Sequence, residues 1–315
     1  MLFRSHKSQR AAKKIYLHGL DGFRGPDAEI GTSFSDSAVI DRRLSYDLGV
    51  KGILVKLLTV YPLSKIFNSQ VLLTQQYYEK LILSRNLYVN NSSKISALLE
   101  RFSIPEHSNK GSSIDYSLLN SQKISNHYLD LAHQHSLIAE HIDFKAANSF
   151  FEIGGGFGAN VHFLVENYPN LKKFLYLDIA PNLYVASQYL RSFYGNAVVS
   201  YSENRNNKSI EFNNSNELEI ICIAPQQIEN LNLEIDIFQN SHSFVEMTND
   251  IVRNYAFYLE KILKVHSSIA LVSYDSHTDS TLRAIEIPNF FNKNFQQYEQ
   301  NYLWDPLKIY YFFLS

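Results

Sequence analysis

The sequence predicts an α/β protein built around a mostly parallel β-sheet, with a mainly helical region before it. Short apolar runs, each the length of a buried strand, recur from residue 149 onward and alternate with helical segments. Strand–helix alternation of this kind is typical of parallel sheets with right-handed crossovers. Before residue 146 the apolar residues show helical spacing instead. We therefore predict a mainly helical acceptor-side or oligomerisation region at 1–145 and a sheet domain at 146–315.

Composition limits the classes of protein that the chain can belong to. Its 315 residues are 45% hydrophobic and 19% charged, which excludes wholesale disorder. Lys and Arg total 29 against 31 Asp and Glu, so the electrostatic footprint of a nucleic-acid-binding protein is missing. The single cysteine, Cys222, cannot form an intramolecular disulfide. We expect a cytoplasmic protein without a nucleic-acid partner.

The N-terminal third shows few strong signals. Residues 1–48 are weakly periodic and are predicted to be irregular, and no apolar segment of signal-peptide length follows the basic start. Helical spacing runs through 50–102, a loop composition through 104–114, and helical spacing again through 118–141. Lysines interrupt the longest apolar stretch, 49–67. We therefore expect that stretch to pack on the protein's own core, with surface contact to a membrane as the weaker alternative and no stable insertion.

The sheet region begins with an apolar run at 149–153, followed by glycines and a helix at 159–168. A second buried strand is predicted at 173–178, and the next helix, 181–194, opens with Pro181, whose missing N–H is not needed in a first helical turn. The stretch 202–216 is polar and rich in Asn, and is interpreted as a surface loop. Further strands are predicted at 219–224, 235–240, 268–274 and 308–315, with a helix at 248–264.

The glycine cluster after the first strand is the main candidate for a binding site. Gly154, Gly155, Gly156 and Gly158 lie between a buried strand and a helix, where free backbone N–H groups and the positive end of the helix bind polar or anionic groups. Glycine also allows close approach and positive φ. Asp178 ends the next strand, 22 residues after Gly156, where a carboxylate can accept hydrogen bonds from ribose hydroxyls.

Two ligand classes fit this pattern. A dinucleotide fingerprint is matched by Gly154, Gly156 and Ala159, with Asp178 on the ribose. An S-adenosylmethionine (SAM) loop, which begins with an acidic residue two positions before its first glycine, is matched by Glu152 together with Gly154, Gly156 and Gly158. A carboxylate beside the loop repels pyrophosphate but suits ammonium and sulfonium charges, so Glu152 favours SAM.

Two segments carry a resemblance to a known family. The sequence resembles class I SAM-dependent methyltransferases, and more narrowly the sugar O-methyltransferases found with bacterial surface-polysaccharide genes. The resemblance extends from about residue 104 to the C-terminus and implies a seven-stranded Rossmann-like sheet. It also implies SAM as methyl donor and a sugar, nucleotide-linked sugar or glycan precursor with a free hydroxyl as acceptor. The segments are Phe151–Gly158 and Ile235–Met247, the latter with a strand ending in Asn, a Ser-containing turn and a Glu-Met pair.

Candidate chemical groups follow the later strands, because open α/β sheets bind ligands at the carboxyl ends of their strands. His242 is the leading general base, since an imidazole titrates near neutral pH. Glu246 either orients that imidazole or stabilises the start of the following helix. Asn240 is assigned to cofactor binding, and Gln226 is assigned to the edge of an adenine.

A second loop offers Asp275, His277 and Asp279, but nothing in the sequence demands a metal, and none is predicted. His127 and His135 share a helix face, but about 12 Å of helical rise separates them, too far for one ion to bridge directly. Two other functions remain open: an NAD-dependent oxidoreductase using the same loop, and a non-catalytic module of a glycan-synthesis complex. Assembly into a homo-oligomer is compatible with all three.

Overall fold

The computed structural model describes residues 2–24, 83, 85–105, 107–113, 115–276, 281–304 and 307–314. Contacts divide the chain into two compact units, Met1–Leu129 and Asp130–Ser315. The sequence prediction sets the domain boundary at 145/146 and stays a prediction. The helices predicted within 49–80, including the candidate membrane-surface helix at 49–67, lie outside the described residues. Within the described residues, no helix combines the length and the apolar character needed to cross a bilayer.

The first unit differs from the sequence prediction in two places. Helix α1 spans Leu2–His18, where an irregular segment was expected; its Lys, Arg and Ala residues are good helix formers without an apolar stripe. A hairpin, β1 (Tyr116–Leu119) with β2 (Gln122–Ser125), occupies the start of the helix predicted at 118–141. Asn120 and Ser121 have φ of +49° and +68°, and two positive φ values are what a tight two-residue hairpin turn requires.

The remaining helices of this part are regular. Residues 85–91 are helical. Helix α2 spans Ser93–Arg101, and the hydroxyl of Ser92 accepts the backbone N–H of Ile95 at its start. Helix α3, Asn126–His141, begins eight residues later than predicted, because the hairpin comes first.

The second unit alternates strands and helices as the sequence predicts, and most predicted bounds agree with the structure to within a residue or two. Four 3-10 turns, at Gly195–Ala197, Pro225–Asn230, Phe244–Glu246 and Ala284–Phe290, connect its elements. In chain order the elements are β3 (Ser149–Ile153), α4 (Ala159–Asn167), β4 (Lys173–Leu177), α5 (Ala180–Tyr194), β5 (Val198–Val199), α6 (Tyr201–Asn204), β6 (Glu219–Ile223), β7 (Ile235–Ser241), α7 (Asn249–Ile262), β8 (Leu263–Ser273), β9 (Phe295–Asn301) and β10 (Lys308–Leu314).

These strands form one mostly parallel sheet in the order β5-β6-β4-β3-β7-β8-β10-β9, with only β10 running antiparallel to its neighbours. The predicted Rossmann-like α/β fold is confirmed. The sheet has eight strands rather than seven, and the additional strand is the two-residue β5 at the edge. From β3 the chain moves outward through β4 and β6 and then returns to β7 on the other side of β3. Open α/β sheets bind ligands at such a switch point, beyond the carboxyl ends of the strands.

The centre of the sheet is buried on both faces. Every residue of β3, β4 and β6 is buried, as expected for parallel strands covered by helices. The sequence analysis missed β9, because Phe295–Asn301 contains mostly Gln, Glu, Asn and Tyr and lies at the sheet edge with several exposed side chains. It also began β8 too late, since the strand starts at Leu263 and the polar residue Lys264 and the polar residues 266–268 interrupt its apolar pattern.

Candidate functional site

The glycine loop, residues 154–158, joins the buried strand β3 to helix α4 at the switch point of the sheet. Gly154, Gly156 and Gly158 have φ of +78°, +67° and +88°, a region that L side chains rarely adopt. The N–H of Gly154 donates to the carbonyl of Leu177, 2.8 Å away, which ties the loop to the end of β4. The spacing of the glycines therefore encodes the backbone path of the loop.

Steric contacts explain the glycines in a second way. A Cβ added to Gly154 would lie 2.4 Å from the Cβ and Oγ of Ser243, in the turn after β7. A Cβ on Gly155 would lie 2.3 Å from Oε2 of Glu152 and 2.7 Å from the ring of Tyr176. These gaps are smaller than any Cβ contact in a real protein. The loop thus packs directly on the Glu152 carboxyl and the Tyr176 ring.

Asp178 stands at the carboxyl end of β4, and the protein's own donors surround its carboxylate. Oδ2 accepts the backbone N–H of Gly156 at 3.1 Å. It also lies 3.1 Å from the hydroxyl of Tyr176, which shares its proton with the carbonyl of Gly156, 2.8 Å away. Oδ1 accepts the backbone N–H of Ile179 at 2.7 Å and the side-chain amide of Asn182 at 3.3 Å. The residue is only 6% exposed. Asp178 therefore ties the glycine loop, β4 and the start of α5 together.

The charge of Asp178 follows from two opposing effects. Burial raises the pKa of its carboxyl to about 6, and the hydrogen bonds from Ile179, Tyr176, Gly156 and Asn182 favour the ionised form. The carboxylate is therefore mostly ionised at neutral pH. The N–H of Gly156, which a pyrophosphate at this loop would use, points at a negative charge instead.

Glu152 lies in β3, beneath the loop rather than in the open crevice, and is 1% exposed. Its Oε1 accepts the side-chain amide of Asn160 at 2.8 Å. Burial raises the pKa of Glu152 to about 8; the hydrogen bond from Asn160 opposes that rise and the charge of Asp178 adds to it. The sequence analysis expected a carboxylate beside the loop, and the structure places this carboxyl under Gly155.

Two residues that the sequence analysis did not assign to the site extend this network. Asn160, in the first turn of α4, lies between Glu152 and His135 of α3, and its Oδ1 is 2.7 Å from Nε2 of His135. Burial lowers the pKa of His135 to about 4, so the ring is neutral at pH 7. Because Asn160 uses its amide N–H on Glu152, His135 must donate from Nε2. Only the position of Asn160 after the last glycine hinted at this role.

Asn240 lies one residue before the end of β7, and its side chain hydrogen-bonds to the start of the glycine loop and to the turn after β7. Its amide donates to the carbonyl of Ile153 at 2.9 Å and to Oγ of Ser243 at 2.6 Å, while its Oδ1 accepts the N–H of Phe244 at 3.2 Å. Ser243 also donates to the carbonyl of Ile153, at 3.1 Å. Asn240 therefore holds the turn after β7 against the start of the glycine loop. Its assignment to cofactor binding stays a prediction.

His242 follows β7 with φ of +67°, an uncommon conformation for a non-glycine residue that is frequent at functional sites. Its ring stacks between those of Tyr274 and Tyr302, with centroids 5.5 Å and 5.9 Å away. Nε2 of His242 is 3.4 Å from the hydroxyl of Tyr302. The hydroxyl of Tyr274 donates to Oε1 of the exposed Glu246 at 3.0 Å. The structure thus joins His242 and Glu246 through Tyr274, and neither tyrosine was singled out from the sequence.

The other predicted site residues make none of the described contacts to the glycine loop. Gln226 is exposed after β6, and its amide donates to the hydroxyl of Tyr201 at 3.2 Å. Ile179, next to Asp178, is 50% exposed and offers an apolar surface at the crevice. Asp275 pairs with Arg283 at 3.3 Å, whereas His277 and Asp279 lie outside the described residues. Among the described residues, no group of three or more His, Cys, Asp and Glu side chains is placed to hold a metal ion.

Comparisons with known proteins give only distant likenesses. No protein-family profile and no curated protein matches the chain. The structure of PigF with S-adenosylhomocysteine (SAH) is 10% identical, with a TM-score of 0.38 and 59% of each chain covered. TrmN from Thermus thermophilus is 10% identical, with a TM-score of 0.40 over 59% of this chain and 48% of TrmN. Human N-acetylserotonin methyltransferase in complex with SAM is 11% identical, with a TM-score of 0.38 over 59% and 55%.

The chain spans less than two thirds of the length of each of these three structures. At such identities and TM-scores, the function of the chain has to be argued from its own site.

Proposed function

We propose that the protein is a SAM-dependent O-methyltransferase that methylates a hydroxyl group of a sugar or glycan precursor. The observation that carries the cofactor assignment is the hydrogen bond from the N–H of Gly156 to Asp178. It places an ionised carboxylate at the loop donor that would otherwise attract a phosphate. A ligand with positive charge suits this loop, whereas a pyrophosphate meets repulsion.

The residues around the loop fit SAM. The positive φ values of Gly154, Gly156 and Gly158 give the loop the backbone path on which the methionine part would lie. Asp178 accepts the ribose hydroxyls, and the weakest of its present partners, the amide of Asn182 at 3.3 Å, is the one a hydroxyl most readily replaces. Ile179 offers an apolar surface for an adenine. When bound, SAM supplies an electrophilic methyl group on a sulfonium.

The sheet also favours SAM over NAD. Dinucleotide-binding Rossmann sheets have the strand order 3-2-1-4-5-6, built from two parallel halves. With β3 counted as the first strand and β5 left out, β6-β4-β3-β7-β8 reproduces the order 3-2-1-4-5. The next position belongs to the antiparallel β10, so the second parallel half is incomplete. This difference from dinucleotide-binding sheets supports SAM over NAD, as does the negative charge of Asp178 at the N–H of Gly156.

The chemistry of methyl transfer requires a base for the acceptor hydroxyl. His242 takes that proton at Nε2, the atom that already shares a hydrogen bond with Tyr302. The stacked rings of Tyr274 and Tyr302 hold the imidazole in one plane, and Glu246 restrains Tyr274 through its hydroxyl. SAM held by the glycine loop and Asp178 would supply the methyl group to the acceptor oxygen, and His242 would hold the proton that the hydroxyl gives up.

The sugar acceptor and a role in surface-polysaccharide synthesis are supported by the sequence resemblance, carried by Phe151–Gly158 and Ile235–Met247. The cytoplasmic setting and a homo-oligomeric state belong to the same proposal. Both are consistent with the near-neutral composition and the single, buried Cys222.

A methyl-transfer assay tests the proposal. The protein is incubated with SAM and a panel of sugars, nucleotide-linked sugars and glycan precursors, and the products are weighed by mass spectrometry. We expect one acceptor class to gain the mass of a CH₂ group, and we expect the His242→Ala variant to abolish that gain. If no acceptor gains mass although SAM binds, the acceptor assignment is wrong. If SAM does not bind, the cofactor assignment is wrong.

A further inference from the structure

Two buried acceptor oxygens belong to side chains on adjacent strands below the carboxyl ends of the sheet. Glu152 of β3 and Gln239 of β7 are register partners in the parallel sheet, so their side chains project from the same face. Each residue is 1% exposed. Oε2 of Glu152 and Oε1 of Gln239 are both buried, and neither has a hydrogen-bond donor among the residues that the structure describes. Buried acceptors without a donor raise the free energy of the folded protein, unless a donor lies between them.

The neighbouring hydrogen bonds determine which oxygens are left over. The chain from His135 through Asn160 satisfies Oε1 of Glu152, because Asn160 donates its amide there and accepts from His135. On the other side, Nε2 of Gln239 donates to Oγ of Ser241 at 2.9 Å, which turns Oε1 of Gln239 away from that hydroxyl. His135, Asn160 and Ser241 thus act as positioning residues that leave one oxygen of each partner without a donor.

We propose that Glu152 and Gln239 form a proton-linked cation sensor: Glu152 carries a proton on Oε2, shared with Oε1 of Gln239, and releases it when a positively charged ligand occupies the glycine loop. The inference rests on the proposed function, since the ligand is SAM. It gives Gln239 a role in ligand discrimination and explains why the loop lies directly on the carboxyl group. The released proton goes to solvent, and no other covalent bond changes.

The groups that face Glu152 support a protonated state in the free protein. Burial raises the pKa of Glu152 to about 8, so the protonated form predominates at pH 7. The negative charge of the nearby Asp178 acts in the same direction. Tyr176 and His135, which lie in the same buried network, stay neutral at pH 7, because burial raises the pKa of Tyr176 and lowers that of His135. The charged Asp236 of β7 and Lys173 of β4 have their own partners, Lys264 and Glu219.

A ligand cation changes this balance. A positive charge at the loop lies in a poorly solvated region next to Glu152, where charges interact more strongly than in water, and so favours the ionised carboxylate. Once Oε2 is ionised, the Gln239 amide can turn and donate to it, with Ser241 donating to the amide oxygen in exchange. SAM carries a sulfonium that its product SAH lacks. The sensor therefore distinguishes methyl donor from product by charge.

Calorimetric titration with SAM in two buffers of different ionisation enthalpy measures the protons released on binding. At pH 7 we expect the wild-type protein to release about one proton more than the Glu152→Gln variant. The ligand's own amine titrates in both proteins and cancels in this difference. Glu229→Gln, an exposed acid in the turn after β6, is the matched control and should behave like the wild type. Gln239→Leu removes the partner of the proton and should lower the proton count.

Equal proton release in the wild type and in Glu152→Gln would overturn the proposal. If Glu152→Gln does not fold, infrared difference spectroscopy of the wild type decides. The carbonyl band of a protonated carboxylic acid should disappear on adding SAM and should disappear less completely on adding SAH. A spectrum without that loss overturns the sensor while leaving SAM binding intact. Failure of SAM to bind at all would refute the proposed function instead.

Discussion

The two sides of the candidate site are built in different ways. On the glycine-loop side, Glu152 and Asp178 are almost fully buried, and hydrogen bonds from the chain surround the Asp178 carboxylate. On the His242 side, the functional groups are partly or fully exposed and are held by ring stacking and long hydrogen bonds. In the proposed function, the first is a rigid receptor for one ligand, and the second is a surface that admits different acceptors.

This difference predicts which properties of the protein a substitution on each side will change. A substitution on the loop side removes several buried hydrogen bonds at once, so it should affect stability and cofactor affinity together. A substitution on the His242 side leaves the buried network intact, so it should affect turnover alone. The expected effects below run from the largest to the smallest.

His242→Ala should lower the turnover number about 10²- to 10⁴-fold, the range typical for loss of a general base. The affinity for SAM should stay nearly unchanged, because His242 makes none of the described contacts to the glycine loop. The measurement is kcat together with the Kd for SAM, using the acceptor that gains a methyl group. His266→Ala, on an exposed position of β8, is the control. Unchanged turnover in His242→Ala would show that His242 is not the general base.

Asp178→Ala should weaken SAM binding by about 2–3 kcal/mol, roughly a 30- to 150-fold rise in Kd, because charge-assisted hydrogen bonds to the ribose are lost. It should also lower the free energy of unfolding, since the backbone N–H groups of Gly156 and Ile179 lose their acceptor. Calorimetry and urea unfolding measure the two effects. Asp250→Ala, at an exposed ion pair of α7, should change neither appreciably. An unaltered Kd in Asp178→Ala would remove the ribose assignment.

Gly154→Ala should reduce the free energy of unfolding by about 2–4 kcal/mol, the sum of a strained positive φ and a clash with Ser243. Gly19→Ala is matched to it, since Gly19 has φ of +75° but open space at its Cβ position. That control should cost only about 1–2 kcal/mol. Urea unfolding of both variants gives the comparison, and equal losses would show that contact with Ser243 does not matter.

Stability should depend on pH through Glu152. Its pKa is raised from the ordinary 4.5 to about 8 in the folded protein, so its contribution is complete below pH 4.5 and is lost as the pH rises through 8. The free energy of unfolding of the wild type should therefore decline across that window, measured by urea unfolding at several pH values. Glu152→Gln, a neutral mimic of the acid, should show a flatter profile. Parallel profiles would mean that Glu152 does not titrate there.

The loop side was predictable from sequence because its requirements are local. Positive φ at alternating positions permits little besides glycine, and a carboxylate at the end of the following strand has a fixed offset from Gly156. For the same reason the bounds of β3, α4 and β4 could be predicted closely. What the sequence could not indicate was the depth of Glu152, because that depends on Asn160 and His135 from two other elements.

The His242 side was predictable only in part. The position of His242 after a predicted strand marked it, but its tyrosine partners come from the ends of β8 and β9, far along the chain. A stack between residues so distant in sequence leaves no local pattern. The hairpin at 116–125 was missed for a different reason: Asn120 and Ser121 are a turn signal, but the helical spacing that follows obscured it.

The central claim is that the glycine loop binds a cationic nucleoside and rejects a pyrophosphate. Parallel calorimetric titrations of the wild-type protein with SAM and with NAD test it most directly. The arrangement of Gly156, Asp178 and Glu152 predicts saturable binding of SAM at micromolar concentrations and no heat of binding with NAD. Tight binding of NAD, or no binding of SAM at high micromolar concentrations, would contradict the account.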